Sequence, residues 1–181
     1  MGGADKALLT LGGETLAARA ARRLAPQVDG LAVSANGDPG RFAALGLPVL
    51  RDLSQDRRGP MGGIEAGLAH ARAQGAAAIV TVAVDTPFFP DDLVARLVAA
   101  AGPGLRPALA ASGDGLHPTL ALWPARLLET VSQRIASGDL RLRGLAEAAG
   151  AAVATFPDDA AFFNVNLPAD LAAAEARAAG E

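Results

Sequence analysis

Residues 76–84 read AAAIVTVAV, and residues 85–90 continue DTPFFP. The first nine carry no charge and show no apolar–polar alternation. A strand with one solvated face alternates, whereas a strand covered on both faces stays apolar throughout, as in the parallel sheet of an α/β domain. The run therefore predicts a buried, central strand, with Asp85 just past its carboxyl end. Open α/β sheets bind their ligands along that edge.

Working outward, strand-like and helix-like segments take turns. GETLAARAARRLAP (13–26) spaces Leu16, Ala20 and Leu24 for one helix face, with arginines on the other and Pro26 as the stop. LAVSAN (31–36) and LPVLRD (47–52) read as strands, and MGGIEAGLAHARAQG (61–75) as a helix introduced by glycines. PDDLVARLVAAAG (90–102) begins with proline and two aspartates, which suit a first helical turn. That position accounts fully for Asp91 and Asp92. RPALAASGDGLHPTLALW (106–123) predicts two strands around a turn at Ser112 to Gly115. Helix follows from about Pro124, with a break at 137–139 and a second helix to Gly150. A strand at AAVATF (151–156) and a terminal helix from Pro168 complete the pattern. Alternation of this kind predicts a doubly wound α/β fold over one domain, residues 1–181.

Composition narrows the function classes. Hydrophobic residues make up 51% and charged residues 19% of the 181, with a net charge of -3. A folded, soluble protein is expected, and the scattered arginines give no stripe for a nucleic-acid polymer. Without cysteine there is neither a disulfide nor a thiolate metal site. The longest strongly apolar run is about half the ~20 residues of a membrane helix, and no basic segment leads into an apolar one at the amino terminus. The expected compartment is the cytoplasm, with no membrane partner.

Several short stretches carry chemistry. Asp85, at the strand's end, offers a carboxylate that can hold Mg²⁺, an ion that takes only one or two protein carboxylates and fills its shell with water and phosphates. The competing reading is a turn cap. In MGGADK (1–6) glycines let the backbone approach a phosphate, and Lys6, the sole lysine against fifteen arginines, supplies a compact ammonium. The segment lacks the Walker A spacing, and a frayed terminus with a solvated lysine is the alternative. RRGPMGGIEAGL (57–68) brings free N–H groups to a helix start, suited to an anion or a base edge, though Gly59-Pro60 is also an ordinary turn. Arg57 and Arg58 read as solvated charges, and Asp52 ends a strand on the same edge as Asp85. In FFNVNLPADL (162–171), Asn164 and Asn166 share one side of an extended chain while Val165 turns inward; Asn166 could instead cap the helix begun by Pro168. His70 lies within a helix, and the role of His117 is open.

Taken in order, MGGADK, SAN, RD with GPMGGI, VDTPF, HPTLALW and FFNVNLPADL resemble the molybdenum cofactor guanylyltransferases, a MobA-like branch of the nucleotidyltransferase superfamily, nearly end to end. The resemblance implies a Rossmann-like three-layer fold with a mostly parallel sheet. It also implies a reaction: GTP and molybdopterin-bound molybdenum, with Mg²⁺, give the guanine dinucleotide cofactor and pyrophosphate. By motif, Lys6 would contact the GTP phosphates, Asp85 would bind Mg²⁺ and nucleotide, and Asp52 would contact GTP. Ser34 and Asn36 of SAN would contribute to substrate binding, with Ser34 standing where the family often has asparagine. Asn164 and Asn166 would lie near the pterin or the reacting phosphates, and they favour a guanylyl enzyme over its cytidylyl relative, which usually has acidic residues there. Molybdoenzymes and their chaperones would receive the product.

Family members begin with a strand and a Leu-Ala-Gly-Gly loop that cradles the triphosphate, then reach an Arg-Met-Gly-Gly segment whose methionine corresponds to Met1. The resemblance therefore implies translation from an upstream start, adding roughly a dozen residues or more. Each lost donor to transition-state charge costs on the order of 100 to 1,000-fold in rate, and several would go with that strand and loop, so a chain without them is expected to be nearly inactive. A cytidylyl or sugar-phosphate nucleotidyltransferase and a non-catalytic nucleotide-binding module are the competing readings.

Overall fold

A computed structural model describes residues 5–53 and 59–180. After a 3-10 turn at Lys6–Leu8 comes a small antiparallel pair, β1 (Thr10–Leu11) with β2 (Glu14–Thr15). Helix α1 (Leu16–Leu24) follows, its first turn closed by the Thr15 hydroxyl accepting from Ala18 N–H at 3.1 Å. Strands β3 (Val33–Ser34) and β4 (Val49–Leu50) pair in parallel. After α2 (Gly59–Ala73), β5 (Ala78–Thr81) and α3 (Leu93–Ala101) come the hairpin strands β6 (Ala108–Ser112) and β7 (Gly115–Pro124). Helices α4 (Leu128–Ala136) and α5 (Leu142–Ala148), strand β8 (Ala152–Thr155) and helix α6 (Pro168–Ala178) complete the order. The short pair β1–β2 has no counterpart in the sequence-based expectation, because two-residue strands leave no periodicity to read.

The larger sheet has the order β5-β7-β6-β8. β6 runs parallel to β8 and antiparallel to β7, and β5 is antiparallel to β7, so the sheet is mixed and its three parallel strands end on one edge. Alternation along the strands builds two cores from one sheet. Ala108, Ala110, Leu120, Leu122 and Ala154 pack on Leu93, Leu97 and Ala101 of α3 and on Ala20 and Leu24 of α1. Leu109, Ala121 and Trp123 face the other way, onto Met61, Ile64 and Leu68 of α2 and the buried residues of α4 and α5. The result is the expected three-layer α/β architecture.

Two expectations need correction. AAAIVTVAV does contribute to both cores, Val80 to one and Ile79 to the other. Yet its strand is confined to Ala78–Thr81, and among the described residues it occupies the edge of the four-stranded sheet rather than the centre. All four of its residues are only partly buried, since nothing described pairs with the outer side of β5. The arginines of α1 do not all face solvent: Arg19 is 4% exposed. Its Nε donates to the Pro87 carbonyl at 3.2 Å, and its guanidinium lies 5.0 Å from the Phe88 ring centroid. A buried cation of this kind needs such partners; these two come from a loop about seventy residues away, and the Glu14 carboxylate adds an ion pair at 3.4 Å.

Trp123 is fully buried, and its indole N–H donates to the Thr81 hydroxyl on the neighbouring strand at 3.2 Å. Thr81→Val keeps the shape and removes the acceptor. Leaving a buried donor unpaired costs about 1–3 kcal/mol, so thermal denaturation should show a midpoint lower by roughly 3–10 °C. An unchanged midpoint would remove this bond from the stability of the sheet. No described helix is long and apolar enough to cross a membrane.

Candidate functional site

Strand ends bring the chemistry together. β3 and β4 run in parallel, so the residues just beyond them, Asn36 and Asp52, emerge side by side. Their contact is reciprocal: Asn36 Nδ2 donates to Asp52 Oδ2 at 3.0 Å, and Asp52 N–H donates to Asn36 Oδ1 at 3.1 Å. The amide thus fixes both the carboxylate and the backbone after β4. Ser34, at the end of β3, is exposed.

The first turn of α2 closes over this corner because residues 62 and 63 are glycine. A Cβ at Gly62 would stand 2.7 Å from the Asp52 carboxylate, and one at Gly63 would stand 2.6 Å from Ser34 Oγ. Neither distance is tolerable for a side chain. The PMGGI stretch is therefore a close-approach sequence, and Gly59-Pro60 lies in the first turn of the helix rather than in a separate turn. Met1 to Ala4, together with Arg57 and Arg58, fall outside the described residues.

Asp85 lies four residues past the last residue of β5, in a turn. Its carbonyl accepts from Val165 N–H at 2.7 Å, stitching the 162–167 segment to this turn. Its carboxylate stands 3.7 Å from Lys6 Nζ, with the two side chains 29% and 36% exposed. Lys6 opens a single 3-10 turn, Lys6–Leu8, that the Asp5 carboxylate caps by accepting from Ala7 N–H at 3.1 Å. The ammonium itself donates to Asn166 Oδ1 at 2.7 Å. Lys6, Asp85 and Asn166, 160 residues apart at the extremes, thus form one polar group at the sheet edge.

The two asparagines differ more than their spacing suggests. Val165 is fully buried between them, as expected, and both asparagines are exposed. Asn164 Oδ1, however, accepts from the hydroxyl of Thr86, a residue 1% exposed, at 2.7 Å. Its carbonyl oxygen is engaged in holding the turn after Asp85, while Asn166 reaches Lys6. Asn166 does not cap α6. Asp170 Oδ2 instead accepts from Asn166 N–H at 2.9 Å and from Leu167 N–H at 2.7 Å. Those two N–H groups hold the Asp170 carboxyl below the usual carboxylate range.

One contributor escaped the sequence reading. Arg41 pairs with Asp5 at 3.0 Å through Nη1 and donates through Nη2 to the Asn36 carbonyl. It ties the Lys6 turn to the Asn36–Asp52 corner. DPGRF has no spacing that would single it out, since its partners come from the chain's start and from the strand before it. His117 lies on the β6–β7 hairpin and belongs to a different cluster.

Among the described residues no three or more His, Asp or Glu side chains gather as a metal cage. The fit of a divalent cation rests on Asp85. At 3.7 Å its contact with Lys6 is an ion pair rather than a hydrogen bond, and the partly exposed carboxylate is open to a hard ion that takes few protein ligands.

Known proteins resemble this chain over most of its length. Residues 1–152 match the family model for the MobA-like NTP transferase domain. A molybdenum cofactor guanylyltransferase of Cereibacter sphaeroides is 53% identical over 175 residues, spanning 97% of this chain and 89% of that protein. One from Acidiphilium cryptum is 42% identical over 178 residues, spanning 97% and 88%. Among solved structures, molybdopterin-guanine dinucleotide biosynthesis protein A from Archaeoglobus fulgidus superposes with a TM-score of 0.78 over 99% of this chain and 93% of its own. At 21% identity that likeness is one of fold.

Proposed function

We propose that this chain, which belongs to the MobA-like NTP transferase family, transfers GMP from GTP to the phosphate of molybdenum-bearing molybdopterin, forming the guanine dinucleotide cofactor and releasing pyrophosphate. The observation that carries the reading is the Lys6 ammonium, held by Asn166 and set 3.7 Å from Asp85 at the sheet edge. A cation and a carboxylate so placed suit a triphosphate that arrives with a divalent ion. Guanylyltransferase relatives that align over nearly the whole chain support the same reading.

In the proposed reaction a phosphate oxygen of the pterin attacks the α-phosphorus of GTP. A new P–O bond forms there, and the bond from the α-phosphorus to the bridging oxygen of pyrophosphate breaks, the electron pair leaving with pyrophosphate. Such transfers depend on positioning and on charge neutralisation. Lys6 neutralises phosphate charge as a compact donor, kept in place by Asn166. Asp85 would hold Mg²⁺, which supplies Lewis-acid stabilisation of phosphate charge when bound. Asp52, braced by Asn36, contacts the nucleotide beside Ser34, and the first turn of α2 walls that corner. Asn164 fixes the turn that carries Asp85 through its bond to Thr86. We assign the reaction to the cytoplasm, where GTP is available, with residues 1–181 acting as one domain and molybdoenzymes or their chaperones receiving the product.

Transfer of label from α-labelled GTP and CTP to molybdopterin, measured side by side, tests the reading. The expected result is Mg²⁺-dependent GMP transfer, with kcat/KM for CTP lower by about 100-fold. Equal or better use of CTP would assign the cytidylyl reaction, and GTP binding without turnover would assign a non-catalytic nucleotide-binding role.

A further inference from the structure

The β6–β7 hairpin ends in a second polar cluster. Its register is interrupted between Leu109 and Ala110, where the partner residue on β7 jumps from Ala121 to His117. Pro118 lies in the skipped stretch and has no N–H to give to the ladder. The irregularity re-aims His117, whose Nε2 lies 2.9 Å from Ser112 Oγ across the hairpin. Its imidazole stacks on Phe162 with ring centroids 4.2 Å apart and planes 6° from parallel. The turn beside it makes its own tether: Gly113 N–H donates to the Asp159 carboxylate. A Cβ at Gly113 would stand 2.6 Å from that carboxylate, so the approach depends on glycine.

Both tethers grip the same short element, the 3-10 turn Asp159–Phe162. Phe162 is also set edge-on against Phe156, with centroids 5.3 Å apart, and the turn's Ala160 carbonyl accepts from Arg177 of α6. From Phe162 the chain runs directly into Asn164, bound to Thr86, then Val165, whose N–H meets the Asp85 carbonyl, then Asn166, bound to Lys6. The hairpin tip therefore holds the upstream end of the segment that places Asn166. Burial holds the imidazole below its ordinary pKa, with Asp114 and Asp159 acting in the opposite direction, which favours the neutral ring at neutral pH.

We propose that His117 is a positioning residue: stacked on Phe162 and oriented by Ser112, it clamps the 159–166 segment and thereby sets Asn166 and Lys6 for transfer. The part concerning transfer rests on the guanylyl reading above, whereas the clamp itself does not. His117→Ala removes the stack, and His117→Phe restores a ring on Phe162 without the bond to Ser112. Amide hydrogen exchange across residues 163–167 should accelerate about tenfold or more in His117→Ala and stay within about threefold of the parent in His117→Phe. In GMP transfer, kcat should fall about tenfold in His117→Ala with KM for GTP changed less than about threefold, and His117→Phe should recover most of kcat. Ser112→Ala, which frees the imidazole but leaves both rings, should stay within about threefold like His117→Phe; Phe162→Leu, which removes the stack from the other side, covers the case in which His117→Ala does not fold and should accelerate exchange about tenfold. Parent-like exchange in His117→Ala or, where that variant does not fold, in Phe162→Leu, or equal loss in His117→Phe and His117→Ala, overturns the proposal. Faster exchange in His117→Ala from a parent that transfers no GMP would uphold the clamp and remove the guanylyl reading instead.

Discussion

Asp85→Ala is expected to lower Mg²⁺-dependent GMP transfer by on the order of 1,000-fold or more, the scale reached when a principal source of transition-state charge stabilisation is removed. The fold should survive. What ties Asp85 to the rest of the protein is its carbonyl, which accepts from Val165 N–H, and that bond does not involve the side chain. The carboxylate is 29% exposed and faces Lys6 at 3.7 Å, a separation at which a partly exposed ion pair contributes at most about 1 kcal/mol to stability. Circular dichroism and a melting curve should therefore match the parent within a few degrees, while pyrophosphate release collapses. Asp85→Asn sharpens the test, because it keeps the shape and loses the negative charge that a divalent cation requires. Parent-like turnover in either variant would take Asp85 out of the mechanism.

Lys6→Met should cost roughly 100 to 1,000-fold in kcat, the usual consequence of losing one donor to developing charge. Lys6→Arg is the more informative change, since charge is retained and geometry is not. A guanidinium is planar and broad where the ammonium is a compact point donor. Lys6 lies in a turn capped by Asp5 and its ammonium donates to Asn166 Oδ1 at 2.7 Å, which leaves little freedom to re-aim a forked side chain. Arg at this position should recover less than about a tenth of parental kcat, measured at saturating GTP. Full activity in Lys6→Arg would mean that only net charge matters there. Full activity in Lys6→Met would remove the residue from the site.

Composition alone raises the question that these variants answer. A chain that uses fifteen arginines and one lysine places that lysine beside the edge carboxylate. Its position three residues after two glycines was visible by inspection. Its partners were not, because Asn166 lies 160 residues away and nothing local connects them.

The alternation of strand-like and helix-like segments, the hairpin around Ser112 to Gly115, the inward Val165 and the placement of Asp52 and Asp85 beyond strand ends were all legible in the sequence. Each depends on the local chain: burial period, turn residues and helix stops act over a few positions. Only the tertiary structure decided the rest. Among the described residues it set β5 at a sheet edge rather than the centre, since pairing partners are chosen by topology and a run of apolar residues cannot specify them. It buried Arg19 against Pro87 and Phe88, and it recruited Arg41 to bridge Asp5 and Asn36. It also separated two asparagines of identical appearance, giving one to Thr86 and the other to Lys6. Those outcomes turn on which distant groups share a few ångströms, and hydrogen bonds and ion pairs form only at that range.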